Sequence, residues 1–179
     1  IEKNEQGILA FINPHSYLDS PTFRGMRWNL LNVYDRIYII DLHGNSKKKE
    51  YSPNGQPDQN LFDIIQGVTI NIFVKFGRKR EDTLAKVFHS DVFGTREHKN
   101  NFLFNHSLNT VDFKEVITRP PNFYFITKNY ANSAQYKRGF SLDALFQVNG
   151  NGIVSKRDEV AFQESKNNIF EVVKSIIDL

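Results

Sequence analysis

Gly7-Ile-Leu-Ala-Phe-Ile12 opens the stretch that decides the fold, followed by Asn13-Pro-His-Ser-Tyr-Leu-Asp-Ser-Pro-Thr-Phe-Arg-Gly-Met-Arg27, Arg36-Ile-Tyr-Ile-Ile-Asp-Leu-His-Gly44 and Gln66-Gly-Val-Thr-Ile-Asn-Ile-Phe-Val-Lys75. Ile8 to Ile12 is a short, continuously apolar run behind a glycine, which predicts a central strand buried on both faces. Asp19 or Ser20 can cap the next helix, with Pro21 at its first position. Phe23, Met26, Arg27, Leu30, Leu31 and Tyr34 then recur at helical spacing. Arg36 to Leu42 is a second apolar strand. Strand, helix, strand favours a parallel pair joined by a crossover helix, and therefore an α/β sheet.

His43 to Gln59 is polar and carries Gly44, Pro53, Gly55 and Pro57. It reads as a loop longer than most connections. Val68 to Phe76 is a third strand. With little helical pattern in the connection, it is expected to run antiparallel to its neighbour. After Gly77 the texture changes. Arg78-Lys-Arg-Glu-Asp82 is a charged breaker, which places an expected boundary between a 1–77 core and a 78–179 α+β extension. In that extension Asp82 to Phe88 reads as extended strand or short helix. Thr95 to Leu108 reads as a helix with Phe102 and Leu103 inward. Arg119-Pro-Pro-Asn122 is a stop signal, Phe123 to Thr127 a short strand, and Asn149-Gly-Asn-Gly152 a tight turn. Glu164 to Leu179 reads as an amphipathic helix with Ile169, Phe170, Val173, Ile176 and Ile177 on one stripe.

The chain of 179 residues contains 16 Phe and 7 Tyr, enough for an aromatic-rich core. It has no Cys, which excludes disulfides, thiol nucleophiles and thiolate-bound zinc. No apolar run approaches the roughly 20 residues that span a bilayer. The first residues carry no signal-peptide pattern. A cytoplasmic location is the expectation. The net charge of +3 is a mild excess for a nucleic-acid partner.

The order and spacing of the quoted segments resemble the late motifs of adenine-specific DNA methyltransferases, and most nearly those of the large single-chain restriction–modification enzymes. The likeness is tight from Gly7 to Lys75 and looser from Lys86 to Asp158. It includes Asn149-Gly-Asn-Gly-Ile-Val-Ser-Lys-Arg-Asp158, which is similar to a segment lying between the methyltransferase core and the target-recognition domain. The resemblance implies the C-terminal half of a Rossmann-like methyltransferase sheet, with an antiparallel last strand, followed by a smaller α+β extension. The parent would transfer the methyl group of S-adenosylmethionine to adenine N6. Its partners would be double-stranded DNA and the remainder of the enzyme, with self-association through an open sheet edge as a further expectation. This chain lacks the Gly-rich cofactor loop and the Asn-Pro-Pro-Tyr loop, so it is expected to be a fragment without activity of its own. The alternative is a non-enzymatic module that binds DNA or protein with a methyltransferase-like half-fold.

Several residues carry the expected chemistry. Asn13-Pro14-His15-Ser16-Tyr17 is similar to a base-holding loop but has His-Ser where the second Pro would stand. The plainer reading is a strand-to-helix turn in which Asn13 and Ser16 satisfy backbone groups, and no catalytic residue is assigned. The resemblance implies that Phe62, a few residues ahead of Val68, stacks on the extruded adenine; a Phe covering the sheet edge is the alternative. Lys47, Lys48 and Lys49 in the long loop, Arg78, Lys79 and Arg80 after the third strand, and Lys156 and Arg157 near the bridge are candidate DNA contacts. Asp41 with His43 looks like a dyad. The five His residues (His15, His43, His89, His98, His106) fit no compact ligand spacing, and no metal site is expected.

Overall fold

In a computed structural model, residues 5–77, 83–136, 138–146, 148 and 162–177 are described. The chain divides into two compact units, 1–129 and 130–179. The first is built on a five-stranded mixed sheet: β1 (Gly7–Pro14), β2 (Arg36–Asp41), β3 (Val68–Lys75), β4 (Lys86–Asp91) and β5 (Lys114–Val116), in the order β1-β3-β2-β4-β5. β3 is antiparallel to both β1 and β2, so those two run the same way with β3 between them. β2 and β4 are parallel neighbours, and β5 closes the far edge antiparallel to β4. The antiparallel direction of β3 is as expected. The expected parallel pair is realised in direction but not in contact. The change of texture after Gly77 falls inside the first unit, between β3 and β4, which share one sheet.

Two layers cover the central strands. Helix α1 (Arg24–Val33) follows a 3-10 turn at Pro21–Phe23, whose cap residue Ser20 makes no side-chain capping bond. Alternation along the strands sends Ile37, Ile39, Phe73 and Val87 into one cluster with Tyr17, Leu18, Leu31, Tyr34 and Phe125. It sends Ile40, Leu42 and Val68 to the other, where Phe102 and Leu103 of helix α2 (Arg96–Asn105) pack as the sequence pattern requires.

Each layer is pinned by one buried cation. Arg27 of α1 is fully buried; its Nε and Nη2 donate to the Asn122 carbonyl at 2.9 and 2.7 Å, and Nη1 donates to the Tyr17 and Ser20 carbonyls. Lys99 of α2 is also fully buried; its Nζ donates to Asp58 Oδ2 at 2.8 Å and to the carbonyls of Leu42 and Gln59. A buried charge persists only when its hydrogen-bonding capacity is met, and here Arg27 draws on the preceding turn and on distant Asn122, Lys99 on segments 40 to 57 residues away.

Two expectations are corrected. β1 is a strand, but it is an edge strand. Ile8 is 67% and Ile12 50% exposed, because β3 covers one side of its ladder and no described strand covers the other. Phe123 to Thr127 forms no strand. The Asn122 carbonyl is held by Arg27, and the Phe125 N–H donates to the Leu18 carbonyl at 2.9 Å, so those backbone groups are occupied outside any ladder. In the second unit, short helices α3 (Ser133–Tyr136) and α4 (Leu142–Leu145) precede α5 (Lys166–Ile177). The stripe of α5 exists as read, yet Ile169, Phe170, Val173, Ile176 and Ile177 are all exposed. The turn at Asn149–Gly152 lies outside the described residues.

Candidate functional site

The C-terminal ends of the parallel neighbours β2 and β4 lie side by side, with Asp41 directly opposite Asp91 and Ile39 opposite His89. Open α/β sheets place their ligand crevices outside such strand ends. Asp41, His89 and Asp91 stand on odd positions, the same side of the strands as Ile37, Ile39 and Val87. β1 ends in Asn13-Pro14, and the 3-10 turn at His15–Leu18 brings His15 to the same place. His43, two residues past Asp41, completes the group. A hollow of about 250 Å³ is lined by His15, Asp41, His43, Glu50, His89 and Asp91, with Lys48 and Asp19 also on its wall.

The group is closely wired. His15 Nδ1 lies 3.2 Å from Asp41 Oδ1, and the His43 backbone N–H donates to the same oxygen at 2.9 Å. His43 Nε2 lies 2.8 Å from Asp91 Oδ1, and its ring stacks on Phe93 with centroids 3.9 Å apart. Burial works against charge on Asp41, but the His15 hydrogen bond and the nearby His43 hold its carboxyl below its usual range. Burial likewise opposes charge on His43, while the hydrogen bond to Asp91 and the Asp41 charge raise it overall. Burial pushes the His89 imidazole down, which favours the neutral ring. Asp41 and His43 were visible in the sequence as a dyad. Their partners were not, because sheet register and a turn 26 residues upstream supply them.

The loop after β2 is shaped by a glycine. Gly44 sits at φ +82°, and a Cβ there would lie 2.4 Å from the Asn60 backbone. That approach lets Asn60 Nδ2 donate to the carbonyls of Gly44 and Gln66 at 3.0 and 2.7 Å, drawing the two ends of the loop together. Asn60 Oδ1 accepts from the Phe62 N–H at 2.9 Å, so the clasp also fixes the backbone that carries Phe62. Phe62 is 40% exposed.

The remaining expected residues fall as follows. Lys47, Lys48 and Lys49 are exposed on the loop, and the Lys48 N–H donates to Asn45 Oδ1 at 3.0 Å. Lys47 also lines a second hollow of about 380 Å³ with Pro14, His15, Asn45, Ile65 and Gln66. Arg78, Lys79, Arg80, Lys156 and Arg157 lie outside the described residues. Asn13 Oδ1 accepts from Thr69 Oγ1 at 3.0 Å and Asn71 Nδ2 at 2.6 Å. Tyr17 is buried, donates its hydroxyl to Asn71 Oδ1 and meets Phe125 edge-on. Tyr17 is thus part of the core, and the Asn13 side chain, half-buried, is taken up by its bonds to β3. Asn13 satisfies side chains of β3 rather than the backbone groups expected.

No protein-family model matches this chain, and no curated protein matches it. Solved structures do. The chain is similar to the DrdV–DNA complex, with 22% identity and a TM-score of 0.68 over 97% of this chain. It is similar to a nuclease-deletion mutant of the Type ISP restriction-modification enzyme LlaGI in complex with a DNA substrate mimic, with 23% identity and a TM-score of 0.68 over 96% of this chain. It is also similar to the ATP-dependent Type ISP restriction-modification enzyme LlaBIII bound to DNA, with 27% identity and a TM-score of 0.70 over 97% of this chain. The chain spans 18%, 16% and 12% of those three chains. The chain therefore corresponds in fold to one segment of much larger chains, two of which are Type ISP restriction-modification enzymes.

Proposed function

We propose that this chain is part of the methyltransferase domain of a restriction–modification enzyme that transfers a methyl group from S-adenosylmethionine to adenine N6 in DNA. The observation that carries this reading is the antiparallel β3 inserted between two strands of common direction, in a chain that is similar over 97% of its length to a restriction–modification enzyme bound to DNA. Such an insertion is how a methyltransferase sheet ends. The chain supplies the last strands of that sheet, the Phe62 wall of the adenine pocket and a DNA-facing loop with Lys47, Lys48 and Lys49.

The residues present do not fit S-adenosylmethionine itself. A nucleotide-type cofactor is held by a glycine-rich turn leading into a helix N-terminus. β1 instead leads through Asn13-Pro14 into a 3-10 turn whose His15, Tyr17 and Leu18 are buried. Cofactor binding is therefore assigned to another part of the enzyme, and no step of the transfer is assigned to residues of this chain. What the chain contributes is a flat face. A base taken out of the duplex loses its stacking, and an exposed aromatic ring on a clasped loop compensates for part of that loss.

The test is Phe62→Ala in the full-length enzyme. Losing one base–aromatic stack costs about 1–3 kcal/mol, so methylation of cognate DNA should fall roughly 5- to 150-fold at an unchanged unfolding temperature. Unchanged methylation would remove Phe62 from the pocket.

A further inference from the structure

We propose that His15, His43 and Glu50 form a binding site for one zinc-type divalent cation, which ties the ends of β1 and β2 to the long loop. One ligand atom from each of the three residues lies within 4.8 Å of the other two. Zinc holds nitrogen and oxygen ligands at about 2.0–2.2 Å, so modest side-chain rotations close this set around an ion. Two histidines and one glutamate suit zinc chemically, whereas magnesium and calcium favour oxygen-only sets.

An independent observation points to a ligand. His15 is nine-tenths buried, and its Nε2 has no hydrogen-bond partner; Glu50 Oε1 lies 4.0 Å away. A buried ring nitrogen without a partner costs free energy that an ion would recover. His15 cannot turn away freely, because its ring is wedged against Gly67, where a Cβ would come within 2.6 Å of His15 Cε1.

The surrounding carboxylates complete the pattern. Histidines that bind metals commonly give their second ring N–H to a carboxylate, which fixes tautomer and orientation. His15 directs Nδ1 to Asp41, leaving Nε2 for the ion. His43 directs Nε2 to Asp91, leaving Nδ1, which is 3.8 Å from Asp41 Oδ2 and beyond hydrogen-bond range. Glu50 Oε2 is held by the Asn45 N–H at 2.8 Å, with Oε1 turned to His15. Lys48 on the same wall is the one group among the described lining residues that would repel the ion. A second set, Asp41, His89 and Asp91, also gathers within 4.8 Å, and His89 Nε2 too lacks a partner. Asp41 Oδ1 and Asp91 Oδ1 are engaged by His15 and His43, and only in the first set does each of two histidines pair one ring nitrogen with a carboxylate and keep the other for the ion, so the first set is assigned.

Titration of the chain with Zn2+ by calorimetry, and with Co2+ by visible absorption, tests the assignment. The expected result is one ion per chain and an intense cobalt band of low coordination number. His15→Gln and Glu50→Gln should each weaken Zn2+ binding by at least about 100-fold, and Asp41→Asn by roughly 10- to 100-fold. His89→Gln should leave it within about threefold. Glu50→Gln keeps an oxygen for the Asn45 N–H, so circular dichroism should report an intact fold even where His15→Gln unfolds. No ion taken up by the folded chain would overturn the proposal. So would binding that survives Glu50→Gln and is lost with His89→Gln.

Discussion

β1 and β2 are close in composition and opposite in circumstance. Ile8-Leu-Ala-Phe-Ile12 and Ile37-Tyr-Ile-Ile-Asp41 are both short apolar runs. In β2, Ile37 and Ile39 are fully buried between layers. In β1, Ile8, Leu9 and Ile12 are exposed at the sheet edge. The comparison teaches that apolar composition makes a strand, while its place in the sheet decides how much of that strand is buried. A long exposed apolar edge is a template for another strand, and the proposed function provides one in the rest of the enzyme.

The strongest way to break the contrast is to uncover β2. Lys99→Met would leave Asp58 charged and buried without its partner, and should destabilise the first unit by about 3–5 kcal/mol in urea unfolding. A loss below about 1 kcal/mol would mean that α2 does not hold that layer down. Ile39→Ala removes a buried side chain from the same strand and should cost about 2–5 kcal/mol. Its counterpart Ile8→Ala, on the exposed edge, should stay within about 0.5 kcal/mol. Equal costs for the two would abolish the contrast between the strands. Gly44→Ala tests the loop that follows β2. A methyl group driven into the Asn60 backbone at a positive φ should cost about 2 kcal/mol and lower the protection of the Phe62 amide from hydrogen exchange. The smallest effect on stability should come from Ile8→Lys. A charge on the edge should leave the unfolding midpoint nearly unchanged while shifting any self-association, followed by sedimentation, towards monomer. No shift would show that β1 is not the associating edge.

Legibility in the sequence followed locality. β2 and β3 are readable because β2 carries a continuous apolar run, Ile37 to Ile40, and β3 spaces apolar residues along eight positions. β1 was readable as a strand, but nothing local separates an edge from a centre. β5 is not legible, because its three residues, Lys114-Glu-Val116, carry two charges and no period. Lys99 at the centre of a helix reads as solvent-facing, since buried lysines are rare; only the fold brings Asp58 and the Leu42 and Gln59 carbonyls to it. The histidine–carboxylate group shows the same limit. The pairs Asp41/His43 and His89/Asp91 each have the period-two spacing of a strand face, and that was the signal available. Their meeting depends on the register that sets Asp41 against Asp91.

The Asn60 clasp has a consequence for how this loop can change over time. By joining Gly44 to Gln66 it closes the long connection at its base. A bridge between Tyr51 and Pro57 closes it again nearer the tip, leaving the turn from Ser52 to Gln56 as a small outer lobe. Lengthening an already closed lobe is entropically cheap, about 0.6 kcal/mol for each doubling. Residues can be gained or lost beyond that bridge while Phe62, behind the clasp, keeps its place. The outer lobe is thus a module on which insertion and deletion can act independently of the aromatic face beside it.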